Sequence, residues 1–593
     1  MDSAVGVSEL PAMSPSNAMA NTAKRQAVEN VVINESEKQS MDVAGTSANE
    51  ELQQPDAQQE SPASSDGVVP TTTLQFLAIF VALILAIFCV ALDNTIIVTA
   101  IPRITDDYKT LNDVGWYGSA FNLPAAALVP FFGKIYALAS TKITFLVALF
   151  IFEVGSLISA VAPSSVVFIV GRALSGAGSA GIFNGALVTI TMVSPLEKRP
   201  AYQSIIGGTY AIATITAPLI GGAFTDYVSW RWCFYINLPI GGLAAAMLVI
   251  VLHLPSPPRS TKTWGQLLWS LDPVGQALFL PSIICVLIAL QWAGTTYAWS
   301  SGRIIALMVV FAVLLVGFII NELWMGDNAT IPPKVARQRT VAAASVFAFF
   351  NYAQFFTFVY FIPIYFQAIK GTSAERSGID TIPLIVANNV ASLTSGFLTT
   401  KFGTYVQYFY GCSVLTSIGG GLITTWQVNT SSSKWIGYQI LSGFGTGLAL
   451  ALPQVAVQPG LAPQDIPIGI SLTIFLQFFG GALFVSVGNN ILNTKLVKYV
   501  SALNIPNFDA RQVIEAGATE FRKTVPAQYL PSVLVAYNQA LRWSFRAGLI
   551  MACLSLLAAI PLEWRSMKPP KPKSYQSSVE AGSMEQESGT KQP

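Results

Sequence analysis

Residues 74–102 read LQFLAIFVALILAIFCVALDNTIIVTAIP. From Phe76 to Leu92 every residue is apolar, with no polar face for water at helical spacing. Crossing the hydrocarbon core of a bilayer as a helix takes ~20 such residues. A soluble helix would show a polar stripe instead. The stretch is therefore predicted to span a membrane. One carboxylate, Asp93, and one amide, Asn94, interrupt its second half.

The same reading extends over the chain. Of 593 residues, 52% are hydrophobic and 11% charged, whereas soluble domains carry roughly 25% charged residues. Fourteen apolar runs are predicted as helices: 74–100, 115–136, 143–162, 166–191, 202–224, 232–253, 272–292, 303–322, 341–368, 378–400, 405–426, 435–458, 467–493 and 542–562. They are continuous rather than alternating, which favours helices over barrel strands. The expected fold is all-α integral membrane. Gly133-Lys-Ile-Tyr after the second run and Gly396-Phe-Leu-Thr after the tenth echo each other. That echo suggests two related six-helix halves with two helices inserted between them, a 6+2+6 plan. Repeat-built transporters hold substrate between such halves near the midplane.

The domain plan follows. Residues 1–72 contain 11 acidic and 3 basic side chains and are expected to be a disordered cytoplasmic tail, with no removable signal peptide. Residues 73–253 form the first half, 254–340 the inserted pair with its linkers, and 341–562 the second half with a long outer loop at 495–541. Residues 563–593 form a second cytoplasmic tail. Short loops on the side of the termini carry ten Lys or Arg against seven opposite. Arg565, Lys568, Lys571 and Lys573 raise the count to fourteen, so both ends are placed inside. Of three glycosylation sequons, Asn34, Asn328 and Asn429, only Asn429 falls outside.

Composition also excludes functions. A net charge of +2 without a basic patch excludes nucleic acid as a partner. Five scattered Cys and a single His, His253, give neither a disulfide framework nor metal-ligand spacing. No cofactor or metal is expected. Gly176-Ala-Gly-Ser-Ala-Gly181 has G-x-G-x-x-G spacing, but it lies inside a run with no preceding strand. It is read as a small-residue surface for close helix packing. No phosphate-binding loop or nucleophile motif points to an enzyme.

Ionisable groups inside a bilayer are costly and default to functional candidates. Asp93, Arg172 and Glu153 are the candidates for proton coupling. A carboxyl group in apolar surroundings can keep a proton it would lose in water, and a nearby guanidinium opposes that. One elementary charge moved across 100 mV is worth ~2.3 kcal/mol, and one pH unit adds ~1.4 kcal/mol. Together these could hold a neutral solute at a gradient of several hundredfold. Asn94, Asn184, Tyr210, Asn351, Gln354, Phe355, Asn388, Asn389, Gln477 and Phe478 are the substrate-cavity candidates. Phe356, Phe358, Tyr360, Phe361, Phe475 and Phe479 are further aromatics of the same runs. Gly133, Lys134 and Lys142 of the second loop, and Ala217, Pro218, Gly221 and Gly222 of the fifth run, are candidates for gating.

Several of these stretches belong to recurrent motifs. Leu92-Asp-Asn-Thr-Ile-Ile-Val-Thr-Ala-Ile-Pro-Arg-Ile104, Gly171-Arg-Ala-Leu-Ser-Gly-Ala-Gly178, Gly221-Gly-Ala-Phe-Thr-Asp226 and Trp230-Arg-Trp-Cys-Phe-Tyr-Ile-Asn-Leu-Pro-Ile-Gly241 resemble the fourteen-span drug:proton antiporters of the major facilitator superfamily. Asp113-Val-Gly-Trp-Tyr-Gly-Ser-Ala120 continues the match. The likeness is to the fungal branch that exports toxins, drugs and secondary metabolites, and it is densest over residues 91–242. It implies a proton-coupling place for Asp93 and Arg172 and an antiporter motif at 217–222. Two departures stand out. Ala217 replaces the usual first Gly of the fifth-run motif, and Ala137 and Ser140 replace the usual acid and second Gly of the loop after the second run.

The expected function is thus proton-coupled export of small, mostly apolar organic compounds by alternating access. The partners are the bilayer, protons and an organic substrate, and a monomer in the plasma membrane is expected, with a vacuolar or vesicle membrane as alternative. The same architecture could instead take up a nutrient or chelate, or act as a sensor without transport.

Overall fold

Apolar length without polar stripes produces the expected result, a stack of long helices. The computed structural model describes residues 69–109, 113–254, 263–294, 297–506, 508–515 and 517–568. Asn34, most of the predicted N-terminal tail and residues 569–593 lie outside the described residues. The described residues hold helices and turns, plus one isolated bridge between Ala293 and Tyr297.

The helices are α1 (Thr73–Tyr108), α2 (Val114–Ala127), α3 (Val129–Leu138), α4 (Thr141–Val161), α5 (Ser165–Val193), α6 (Arg199–Tyr227) and α7 (Asn237–Val251). There follow α8 (Pro273–Trp292), α9 (Gly302–Met325), α10 (Arg339–Ile364), α11 (Ala374–Phe402), α12 (Val406–Ile423), α13 (Ser432–Gly447), α14 (Ile466–Ser501) and α15 (Leu530–Ala559). Helix α1 starts where the tail was predicted to end. Thr72 and Gln75 form a reciprocal capping box there, satisfying two otherwise orphaned amides.

Twelve helices among the described residues are long and apolar enough to cross a membrane. The pair α2 and α3 makes a thirteenth, bent by 40° where Pro130 enters the first turn of α3 and cannot continue the preceding hydrogen-bond ladder. The predicted span at 405–426 is helical too, as α12. With only 18 residues, and with Gln407, Tyr408, Tyr410 and a Gly419–Gly421 run, it is too polar to count on apolar length alone. Length and composition alone thus support twelve or thirteen spans, and the fourteenth expected run is the helix α12.

The stretch 495–541, expected as a loop, is partly helical. Helix α14 continues to Ser501, short helices occupy Arg511–Glu515 and Gly517–Thr524, and α15 begins at Leu530. Packing rather than apolar length extends these helices. Phe521 is fully buried and stacks on Tyr537 at 5.2 Å. Arg522 donates to the carbonyls of Ala368 and Ile369. These carbonyls end a π-helical turn, Tyr365–Lys370, that follows α10. Arg542 consequently sits inside α15 rather than at its start, and donates to the Thr424 carbonyl at 2.6 Å.

Lipid offers little hydrophobic drive between helices, so close approach at small residues does the joining. A side chain at Gly178 would strike the α4 backbone at Phe152, and one at Gly176 would strike the Phe121 backbone of α2. The G-x-G-x-x-G stretch lies wholly within α5 and faces two helices at once. Helix α9 shows the opposite pattern. Ile305, Val309, Val313, Val316, Ile320 and Leu323 are exposed along it, which suits a lipid-facing surface.

Candidate functional site

Asp93 points away from lipid. Its carboxylate and the Arg172 guanidinium, from α1 and α5, are fully buried and form an ion pair. The second carboxylate oxygen accepts from Asn237 Nδ2 at 2.9 Å. Asn237, at the start of α7, also donates to the Ser156 hydroxyl at 3.2 Å. Arg172 Nε donates to the Tyr117 carbonyl at 3.2 Å, and its guanidinium lies 4.7 Å from the Phe121 ring centre and 5.5 Å from that of Phe234. Breaking such a pair by removing one partner leaves an uncompensated charge and costs about 3–5 kcal/mol. The attraction therefore depends steeply on whether Asp93 carries a proton.

Glu153 is outside this pair. Its carboxyl group lies against Gly241, and neither oxygen has a hydrogen-bond partner among the described residues. Asn237, Tyr117 and Phe234 were not singled out from the sequence. Asn237 could have been, as the one amide in the Trp230–Gly241 motif.

One residue beyond Asp93, Asn94 faces a different neighbour, because consecutive helical positions are ~100° apart. Its Nδ2 donates to the Tyr210 hydroxyl of α6 at 3.0 Å. Both line a cavity of about 310 Å³. Of the predicted lining residues, Asn94, Tyr210, Phe355, Asn388, Asn389, Gln477 and Phe478 line it, and so does Phe356. Three are elsewhere. Asn184 is buried in α5, its amide turned toward the Val129 carbonyl. Asn351 and Gln354 bond each other, and Gln354 donates to Thr446 at 2.8 Å. Their amides join α10 to α13 rather than the cavity. Phe358 and Phe361 are buried in the core, and Phe475 packs on Phe279.

Gln203, Tyr352, Phe183, Thr214 and Gln454 line the cavity without having been predicted. Gln454 donates to Gln477. No Asp, Glu, Lys, Arg or His is among the lining residues.

Beneath the cavity, at the end that carries the N-terminal capping box, the helices close. A side chain at Gly133 of α3 would strike Ser471 of α14, and one at Gly396 of α11 would strike Ser204 of α6. The two echoing glycines thus occupy equivalent crossings. Ala201 N donates to Thr400 Oγ1 at 3.3 Å and Arg199 Nη1 to Gln458 Oε1 at 3.2 Å. Lys134 Nζ donates to the Ala329 carbonyl at 2.6 Å, and Lys142 Nζ to the Val249 carbonyl at 2.7 Å.

The fifth-run motif packs on α1. A side chain at Gly221 would strike Thr99 and Ile96 of that helix, whereas Gly222 faces open space. Ala217 is fully buried in a cluster with Leu92 and Ile96, so its extra methyl is accommodated. Pro218 is exposed and lies within an unbroken α6. The motif's close approach is thus made to the first span. Asn429 is exposed in the turn between α12 and α13.

Residues 83–485 match the Major Facilitator Superfamily model. Efflux pump aflT of Aspergillus parasiticus is 53% identical, over 83% of this chain and 96% of that protein. Efflux pump roqT of Penicillium rubens is 44% identical over 87% of this chain and 95% of its own length. The rubrofusarin-specific efflux pump aurT of Gibberella zeae is 44% identical, with 84% and 90% covered. Among solved structures, the proton:xylose symporter XylE aligns with a TM-score of 0.54 at 13% identity, over 84% of this chain and 98% of its own. The human organic anion transporter MFSD10 aligns at 0.52 and 12%, covering 80% and 99%. At such identity these two speak for the fold alone. This chain belongs to the Major Facilitator Superfamily, a family of multi-pass membrane transporters and not of enzymes, among fungal efflux pumps.

Proposed function

We propose that this protein exports small, mostly apolar organic compounds, such as toxins, drugs or secondary metabolites, in exchange for protons. The observation that carries the reading is the placement of Asp93 and Asn94. One belongs to a fully buried ion pair with Arg172, and its neighbour lines the central cavity and holds Tyr210. A proton arriving on Asp93 cancels its attraction for Arg172 and frees α1 to turn. Any turn of α1 moves Asn94 in the cavity wall. Proton binding and substrate release are thus coupled through one turn of one helix. The naming of the fungal relatives as efflux pumps supports the export direction.

The two halves are α1–α7 and α10–α15, with α8 and α9 inserted between them. They rock about the cavity in alternating access. With the termini inside, the closed end is cytoplasmic, and the cavity belongs to an outward-facing state. We place the working unit as a monomer in the plasma membrane.

The test is transport by the purified protein in liposomes. An imposed pH gradient should drive uptake of an organic substrate into acid-loaded vesicles, and a protonophore should abolish it. Equal transport with the gradients collapsed would leave facilitated diffusion as the description.

A further inference from the structure

We infer that the end of α11 beside the C-terminal segment docks the headgroup of an anionic phospholipid, with Lys401 and Lys568 as the groups that meet its charge. The inference does not depend on what is exported or in which direction.

After α15 the chain runs back across the ends of three other helices. Arg339 Nε of α10 donates to the Pro561 carbonyl at 2.7 Å, and the Thr340 hydroxyl to the Glu563 carboxylate at 2.9 Å. The Tyr405 hydroxyl, just before α12, donates to the Glu563 carbonyl at 2.9 Å. Met567 N donates to the Gly403 carbonyl at 2.8 Å, and Met567 is fully buried. The segment is therefore a fixed strap, and its side chains have set places. Lys568 lies over Gly403, its Cγ 2.9 Å from where a side chain there would begin. Gly403 accepts both this contact and a φ of +80° because it carries no side chain. Lys401, two residues earlier, is exposed, with Nζ 5.7 Å from the Phe402 ring centre. Two lysines from distant parts of the chain thus stand at one helix end.

Basic side chains at such an end often serve only its last carbonyls. Here backbone amides take that part: Gly403 N bonds the Thr399 carbonyl at 2.7 Å, and Met567 N bonds that of Gly403. The acid of the strap, Glu563, is engaged by Thr340 and by Arg565 at 2.7 Å. Among the described residues, neither lysine has a carboxylate partner. The surroundings say which anion fits. On the membrane side, Phe397, Phe402, Leu557 and Ile560 are exposed, an apolar belt that reaches the lysines. Trp564 is 65% exposed and stacks on Tyr410 at 6.4 Å. Indole rings gather at headgroup level, and lysine stems lie along apolar surface while their ammonium groups reach polar surroundings. An acidic peptide would have to leave water to sit beside that belt, whereas a phospholipid is already there. Arg565, Lys568, Lys571 and Lys573 follow the last span closely, and no acid occurs between Glu563 and Glu580. Such a cluster attracts anionic lipid, and with the termini inside it meets the negatively charged inner leaflet.

The test is native mass spectrometry of the full-length protein with dioleoylphosphatidylserine and dioleoylphosphatidylcholine added in equal amounts. The two lipids share their acyl chains, so a preference reports the headgroup. A basic side chain at an anionic surface is worth about fivefold in affinity. The unaltered protein should therefore bind the serine lipid about tenfold or more tightly than the choline lipid. Lys401→Gln combined with Lys568→Gln should reduce that preference to about twofold or less, and Lys401→Arg combined with Lys568→Arg should keep it. Lys434→Gln combined with Lys495→Gln removes as much charge at the opposite end of the helices and should leave the preference unchanged. Equal binding of the two lipids by the unaltered protein would overturn the inference and make the acidic residues of positions 1–72 the better occupant. An undiminished preference in the Lys401 and Lys568 glutamine variant would overturn it as well. So would an equal loss in the Lys434 and Lys495 variant, which would mean that net charge rather than a site sets the preference.

Discussion

The Lys134 ammonium donates to the backbone carbonyl of Ala329, 195 residues away, at 2.6 Å. Ala329 lies between the inserted helices and α10, and is fully buried. Its segment is held rigidly. Thr330 donates to Asp272 through both its backbone and its hydroxyl, each at 3.1 Å. Ile331 N donates to Glu322 at 2.8 Å. The loop after the second span has Ala137 where an acid is usual. Its lysine is engaged by a segment attached to the inserted helices. The insertion thereby reaches the closed end of the transporter.

Replacing Lys134 with Met removes a charge-assisted bond worth about 1.5–3 kcal/mol, while keeping the length of the side chain. The closed end should open more often. A cysteine introduced at Ser471, on the facing helix, should then react about tenfold or more faster with a membrane-impermeant maleimide applied from the cytoplasmic side. Lys134→Arg should restore slow labelling. An unchanged rate in Lys134→Met would show that the latch does not hold this end shut.

How much of this was legible in the sequence depended on which force acted. Apolar length and buried charge left clear marks, so Asp93 and Arg172 stand out in the sequence, although their pairing rests on α1 and α5 being brought together. Seven of the ten residues expected to face substrate line one cavity. Phe355, Asn388, Asn389, Gln477 and Phe478 line it, but Asn351 and Gln354 look the same in sequence and spend their amides between helices. Whether an amide faces a cavity or a neighbour is set by helix rotation, which a uniformly apolar run does not encode. Helix α15 was started twelve residues late, at 542 rather than Leu530. Its first turns lie among Phe521 and the Trp426 carbonyl, to which Asn538 donates at 3.0 Å, and that packing has no apolar signature.

Asp93→Asn keeps the size of the side chain and loses its titration. Proton-driven export should fall to background, while the protein still reaches the membrane and substrate exchange without a gradient continues. Arg172 would be left without its counter-charge, so a loss of about 3–5 kcal/mol in stability is also expected. Thermal unfolding in detergent should show it. Export at the normal rate and gradient in Asp93→Asn would move proton coupling to another group, with Glu153 next in line.

Asp272 caps the N-terminus of α8 and predicts a pH dependence of the fold. Burial works against its ionised form, but bonds from Asn321, the Gly275 amide and Thr330 outweigh that and hold its carboxyl below the ordinary value. A carboxylate held low stabilises the fold above its unfolded pKa of about 3.9 and loses that contribution as pH falls through the folded value. Asp272→Ala should cost about 3 kcal/mol at neutral pH by stranding those donors. The gap in melting temperature from the unaltered protein should narrow below about pH 4. A gap that stays constant down to pH 3 would remove the titration of Asp272 from the stability of this end.

The echoing glycines make the sharpest test of the closed end, because the two act at equivalent crossings. A valine at Gly396 would overlap Ser204 and come within 2.8 Å of the Pro200 carbonyl, so α6 and α11 could no longer meet. One at Gly133 would overlap Ser471 and part α3 from α14. Such overpacking costs about 1–3 kcal/mol, and here the strain falls on one conformation only. The inward-open arrangement, in which these crossings separate, should be relieved of it and become favoured. Both Gly396→Val and Gly133→Val should therefore lower export about tenfold while leaving a folded protein in the membrane. Gly421→Val, on a helix face with nothing within 4 Å, should leave export at the normal rate. Normal export in Gly396→Val and Gly133→Val would mean that neither crossing has to close during the cycle, and that the end bearing Lys134 and Ala329 is not the inner gate.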